Sequence, residues 1–332
     1  MKKILAVILT VLLCSCSSPS STAPQSSAED GRVTIAVIQL LTHGSLDEDY
    51  QGFLDGLKEA GYEEGKNLEI IYQNPEGDQS NLATMADAVV AKDPDLIVAI
   101  ATPPAQAVQQ ALESAGKSIP VLGTAITSYT ETGLAETDER PGLGISGVSD
   151  NCPMDLQLML AQQIVPELKT LGILYTSSEA NSQIQAEQME EVCAAAGVQT
   201  LVKTVSDKTM IDDTMQSFIG NVEALYIPTD NNIASAMGSV DIVATENKLP
   251  VVVGVSAMCA DGGLVALGVD YYVLGKVTAE MAVEVLNGKD VSEMPIRYGS
   301  SGTIYYNPRT AENLGITLPD NILSDGIDVT AE

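Results

Sequence analysis

His43 is the one histidine in 332 residues. Imidazole chemistry therefore has a single carrier. Mechanisms that need two histidines are excluded, including a His-x-x-x-His zinc site. A serine nucleophile would need a strained elbow, and no Gly-x-Ser-x-Gly occurs. His43 stands in the polar loop Thr42-His43-Gly44-Ser45 that follows an apolar run. It is either a general base, for which no partner is marked, or a loop residue that touches ligand or solvent.

The other polar residues with chemical capacity recur at similar places. They are Thr102 before Pro103-Pro104, then Thr127 and Ser128, Asp150, Ser178 and Asn181, Asp230 and Asn231, Ser256, and Asp270. Each follows an apolar run and most precede a helical pattern. Helix capping accounts for such residues without any ligand. Their short donors and acceptors also suit a carboxylate at a helix N-terminus or an ammonium beside an aspartate. Gly142-Leu-Gly-Ile-Ser-Gly147 matches Gly-x-Gly-x-x-Gly, but it leads into a strand, so it is no dinucleotide box. Glu63-Glu64 and Glu190-Glu191 are adjacent in sequence and cannot converge on one point. No metal site and no cofactor follow from these residues.

The elements that position them alternate. Strands are expected at 33–40, 68–72, 96–100, 120–122, 145–148, 171–175, 199–205, 224–227, 250–255 and 264–269. Helices are expected at 47–60, 79–91, 103–115, 153–164, 180–196, 210–219, 231–247 and 272–286. Strands alternating with helices imply an α/β fold with parallel sheets covered on both faces. Two runs of this kind imply two doubly wound lobes. Ligands of such sheets bind outside the carboxyl ends of the strands, and two facing lobes share one cleft.

Lys and Arg number 16, Asp and Glu 45, for a formal net charge of −29. Such a chain repels phosphate backbones, which excludes nucleic acid as a partner. Yet 45% of residues are hydrophobic and 18% charged, the balance of a folded protein and not of an acidic tail. Lys2-Lys3 and the apolar stretch Ile4–Leu13 read as an export signal, too short to span a membrane. Leu13-Cys14-Ser15-Cys16 is similar to a bacterial lipobox, with Cys16 the lipidated residue, because Leu13 is too bulky to precede the cleavage at Cys14. The expected organisation is a signal peptide at 1–15 and a lipidated flexible tether at 16–31. Cys152, Cys193 and Cys259 remain for the fold, enough for one disulfide at most.

A family resemblance runs from Val33 to Pro308. It rests on Ile38–His43 (IQLLTH), Gln51–Tyr62 (QGFLDGLKEAGY), Asn74, Gly77–Leu82, Asp95–Pro103, Gly147–Asp150, Ile173–Tyr175, Ser178–Ser182, Tyr226–Asn231 and Leu267–Tyr272. Together these resemble the ABC-transporter substrate-binding lipoproteins of tryptophan and tyrosine uptake. The resemblance implies a type I periplasmic-binding-protein fold, two lobes joined by three hinge crossings around an interlobe cleft. Lobe 1 would hold 32–148 and 269–290, and lobe 2 would hold 149–268 and 291–332. It places Thr102, Asp150, Ser178, Asn181, Asp230, Asn231 and Asp270 at the cleft. Thr127 and Ser128 fall there by position, and Thr42 and His43 by their place after the first strand. Relatives often have Asp-Pro near Ser128-Tyr129 and acidic residues near Ser256.

The implied protein is not an enzyme. It is a monomeric receptor, lipid-anchored at the outer face of the membrane, that closes on an amino acid, possibly aromatic. It hands this to ABC permease subunits served by a cytoplasmic ATPase. Two alternatives share the cleft: a sensor of ligand occupancy with no transport role, and a binding protein for a nucleoside or sugar.

Overall fold

A parallel strand buried on both faces needs apolar side chains on both. Leu96–Ile100 supplies five such residues in a row, all fully buried. The computed structural model describes residues 31–300 and 302–331. The export signal, Cys16 and tether residues 17–30 lie outside the described residues.

The elements in chain order are β1 (Val33–Gln39), α1 (Gly44–Glu59), β2 (Leu68–Gln73), α2 (Gln79–Ala91), β3 (Leu96–Ile100), α3 (Thr102–Ala115), β4 (Val121–Thr124), β5 (Ile145–Ser149), α4 (Met154–Ile164), β6 (Thr170–Thr176), α5 (Ala180–Ala196) and β7 (Gln199–Val205). They continue with α6 (Ile211–Gln216), β8 (Ala224–Ile227), α7 (Asn231–Ala234), α8 (Met237–Asn247), β9 (Val251–Val253), α9 (Ser256–Ala260), β10 (Val265–Gly268) and α10 (Tyr271–Leu286). The tail adds β11 (Arg297–Tyr298), β12 (Thr303–Tyr306), α11 (Pro308–Leu314), α12 (Asp320–Asp325) and β13 (Ile327–Asp328).

Two sheets form. The first has the order β11-β5-β4-β3-β1-β2, every pair parallel. The second has the order β13-β12-β10-β9-β8-β6-β7, parallel except for β10 with β12. The chain crosses between lobes after β5, after β10 and after β11. The third crossing lies beyond residue 290, where lobe 1 was expected to end. Arg297–Tyr298 pairs with Val148–Ser149 and so extends the first sheet.

Helix α10 follows a strand of the second sheet but packs on the first lobe. Glycines permit the close approach. A Cβ on Gly52 would lie 2.0 Å from the Tyr272 carbonyl oxygen, and one on Gly275 would lie 1.9 Å from that of Asp49. Gly147 (φ +148°) is equally constrained, since a Cβ there would meet the Gly123 carbonyl oxygen at 1.8 Å. The glycine motif thus serves turns and strand packing, not a phosphate. The expected single helix over 231–247 is broken between α7 and α8. The Ser235 hydroxyl donates to the Asn232 carbonyl (2.8 Å), and Ala236 leaves helical geometry (φ −133°, ψ 21°). No helix among the described residues is long and apolar enough to cross a membrane.

Candidate functional site

The carboxyl ends of β1, β3, β4 and β5 present His43, Thr102, Thr127 and Asp150 in that spatial order along the first lobe. Strands are spaced about 4.8 Å apart, so β1 and β5 stand roughly 14 Å from one another. Thr102 opens α3 and is buried to 1% exposure, with no partner for its hydroxyl. Ala101 before it holds φ 85° and ψ 161°, a conformation essentially reserved for glycine. Its N–H is held by the Thr124 carbonyl (3.0 Å). Thr127 is buried, and its carbonyl accepts from the Ser149 hydroxyl (2.9 Å). Asp150 is buried; Oδ2 accepts from the Tyr271 hydroxyl (2.7 Å) and Oδ1 has no partner. Burial raises the Asp150 carboxyl above the usual range, against the opposing effects of Tyr271 and Thr127. Asp49 lies behind it, fully buried, with Thr124 its hydrogen-bond donor at 2.8 and 3.1 Å. Burial keeps that carboxyl well above the usual range.

The second lobe answers with the ends of β6 and β8. Asp230 is fully engaged by the protein. It accepts from the Thr176 N–H (2.6 Å), the Thr176 hydroxyl (2.8 Å) and the Ile233 N–H (2.9 Å). It is therefore a cap that locks β6 to α7, with little capacity left for a ligand. Asn181 donates to the Thr229 carbonyl (2.7 Å), and its Oδ1 is buried without a partner. Glu179 is buried and takes the N–H and side-chain amide of both Asn231 (3.1 and 2.6 Å) and Asn232 (2.8 and 2.9 Å). Burial and the nearby Asp230 carboxylate raise Glu179, while those N–H donors oppose the shift.

The lobes touch across the cleft. His43 Nε2 is 3.2 Å from Asn231 Oδ1, and Gln188 Nε2 donates to Glu131 at 3.2 Å on another flank. Burial lowers the His43 pKa, opposed by Asn231 and by Asp47. The cleft is closed, yet buried polar atoms from both lobes face no protein partner. They include Gln39 Oε1, His43 Nδ1, Ser45 Oγ, Thr102 Oγ1, Asp150 Oδ1, Asn181 Oδ1, both amide atoms of Gln157 and Gln185 Nε2. Buried polar groups in native proteins are almost always bonded. His43, Thr102, Asp150 and Asn181 contribute such atoms at or just beyond the facing strand ends, and Gln157 and Gln185 contribute theirs from within α4 and α5.

His43, Thr102, Thr127, Asp150, Asn181 and Asn231 are thus brought to the closed strand ends, with Asp230 behind them. Thr42 and Ser178 are exposed and line the groove at the mouth, with Glu76, Gly77 and Asn232. Thr42 donates to Glu76 there (2.8 Å). Ser128 is half-buried and caps a turn by accepting from the Glu131 N–H (3.2 Å). Asp270 is exposed, caps α10 through the Val273 N–H (3.0 Å), and lines a separate hollow with Glu48, Ser256 and Tyr305. Gln157, Gln185 and Glu179 escape sequence reasoning. The two glutamines lie inside helices, where an amide carries no local signal. No cluster of metal-ligating residues forms among the described residues.

Two α/β lobes, three crossings and a closed polar cleft define a solute-binding protein of the periplasmic type. The chain belongs to the ABC transporter substrate binding protein family, whose model matches residues 34–330. It is 34% identical to the tyrosine-binding protein of Clostridioides difficile over 94% of this chain and 92% of that one. Its structure is similar to an ABC domain in complex with L-Trp from Streptococcus pneumonia, with TM-score 0.84 and 37% identity over 90% of this chain and 99% of the other. A ligand-free, open substrate-binding protein from Clostridium difficile overlays with TM-score 0.68 at 35% identity, over 89% and 98%. The better overlay on the complex accords with the bridge from His43 to Asn231.

Proposed function

We propose that the cleft captures an L-amino acid with an aromatic side chain and that the protein delivers it to an ABC import permease. The observation that carries this reading is the set of buried, unbonded polar atoms between the lobes. Asp150 Oδ1 would accept from the ammonium, and the Thr102 hydroxyl at the start of α3 would donate to the carboxylate. The tyrosine-binding and L-Trp-bound relatives support an aromatic side chain. The reading is one of binding without reaction, supported by the pairing of His43 with the Asn231 side-chain amide. The receptor works outside the cytoplasm as a monomer on a lipid anchor at Cys16, with no cofactor.

Calorimetric titration with the common amino acids, and with a sugar and a nucleoside as controls, tests the reading. Ligand at one hundred times Kd adds about 2.7 kcal/mol of stability, visible as a raised Tm. Heat and stabilisation are expected from aromatic amino acids. Response to the sugar or nucleoside alone would overturn it.

A further inference from the structure

Glu179 fixes more than a loop. Its carboxylate oxygens accept from N–H groups of Asn231 and Asn232. Both Glu179 oxygens also take a backbone N–H, of Asn231 and of Asn232, so in its ionised form Glu179 only accepts, and the Asn231 side-chain NH2 then faces Glu179 while its Oδ1 faces His43. Oδ1 in turn can only accept, so the His43 proton resides on Nε2. That leaves Nδ1 a bare acceptor, shut off from solvent and without a protein donor. Gln39 Oε1 and Ser45 Oγ, within a few residues on the same strand end, are also buried and unbonded. Nδ1 is therefore open to a donor from the occupant. His43 stands at the β1 end of the cleft, three strands from Asp150, where the ammonium would be held.

We propose that His43 Nδ1 accepts a hydrogen bond from the distal end of the ligand's side chain. Selection is then for an aromatic ring that carries its own donor, a phenol O–H or an indole N–H, over a bare ring. Asn231 and Glu179 are positioning residues that hold the receiving tautomer across the closed cleft. This rests on the reading that an aromatic amino acid occupies the cleft.

The single histidine makes the test direct, because the ring-nitrogen NMR spectrum belongs to one residue. With L-tyrosine bound, the spectrum should show a protonated Nε2 and an unprotonated Nδ1 whose resonance moves relative to the L-phenylalanine complex. L-tyrosine should bind at least about tenfold more tightly than L-phenylalanine, since the latter leaves a buried acceptor unpaired. His43→Phe should bring the two affinities within about threefold. Glu179→Gln keeps His43 but frees the Asn231 amide to turn, so it should lower the ratio and mix the tautomers. An Nδ1–H tautomer in the tyrosine complex would overturn the proposal. So would equal loss of both ligands in a folded His43→Phe protein. Should no aromatic amino acid bind the unaltered protein, the fault lies in the reading of the ligand. Should both bind with the same Nδ1 resonance, it lies in the proposal alone.

Discussion

Asp150→Asn keeps the shape of the side chain and removes its charge. The Tyr271 hydroxyl can still donate to the amide oxygen, as it does to Oδ2 at 2.7 Å. What is lost is the attraction of Oδ1 for a ligand ammonium. Two unit charges 4 Å apart attract by about 4 kcal/mol at an effective dielectric of 20. Hydrogen bonds to charged groups contribute about 1.5–3 kcal/mol net. Part of the Coulomb energy is spent on desolvation, so the lower range governs, and Kd should rise roughly 15- to 150-fold. Stability without ligand should move the other way. Burial already disfavours the charged carboxylate, so the neutral amide should leave Tm unchanged or raise it. The assay is calorimetry with an aromatic amino acid and with its analogue bearing hydrogen in place of the ammonium. The variant should weaken the amino acid strongly and the analogue little. Equal weakening of both, or a lowered Tm without ligand, would refute the assignment of Asp150 to the ammonium.

Thr102→Val should weaken binding about tenfold and leave Tm without ligand unchanged, because the hydroxyl has no protein partner; a large drop in Tm would show a structural role instead. Gly275→Ala should destabilise by about 2–4 kcal/mol, since the added carbon meets the Asp49 backbone at 1.9 Å. Gly238→Ala, in α8 with open space around it, should stabilise by about 0.5–1 kcal/mol, and urea denaturation compares the two. Asp49, Asp150, Glu179 and Asp230 all have raised pKa values in the folded state. The folded protein therefore binds more protons than the unfolded one as pH falls toward those values, so stability rises. His43 is lowered and opposes this as pH falls through its ordinary value near 6.5. Scanning calorimetry of the ligand-free protein should find Tm higher at pH 6 than at pH 7.5; a steady fall on acidification would contradict the four carboxyl directions.

Much of this fold is legible because the local signals agree. Asp78 caps α2 through the Asn81 N–H (2.8 Å), and Gly197 ends α5 with a left-handed φ of 75°. The strand Leu96–Ile100 needs nothing beyond its own apolar run. The tail is illegible for the opposite reason. Arg297–Tyr298 pairs with one sheet and Thr303–Tyr306 with the other, and strands of two to four residues have no period to read. The site divides in the same way. Polar residues at strand ends announce the cleft, but the turn decides which one enters it. Ser178 is exposed at the rim while its neighbour Glu179 is buried. Asp230 has the chemistry of an ammonium anchor, yet two N–H groups and a hydroxyl consume it.

The seat of α10 sets an order on synthesis and export. Lobe 1 begins at Val33, but the glycine face of α1 stays bare until Tyr271–Leu286 arrives, and its sheet lacks an edge strand until Tyr298. The lobe made first is thus completed near the end of the chain, across a long sequence separation that slows folding. Most of lobe 2 is one uninterrupted stretch from α4 to β10 and can collapse earlier. A polypeptide leaving the cell from its N-terminus would present a leading half that still lacks α10 and its edge strand, and the first lobe would be complete only after almost all of the chain had passed.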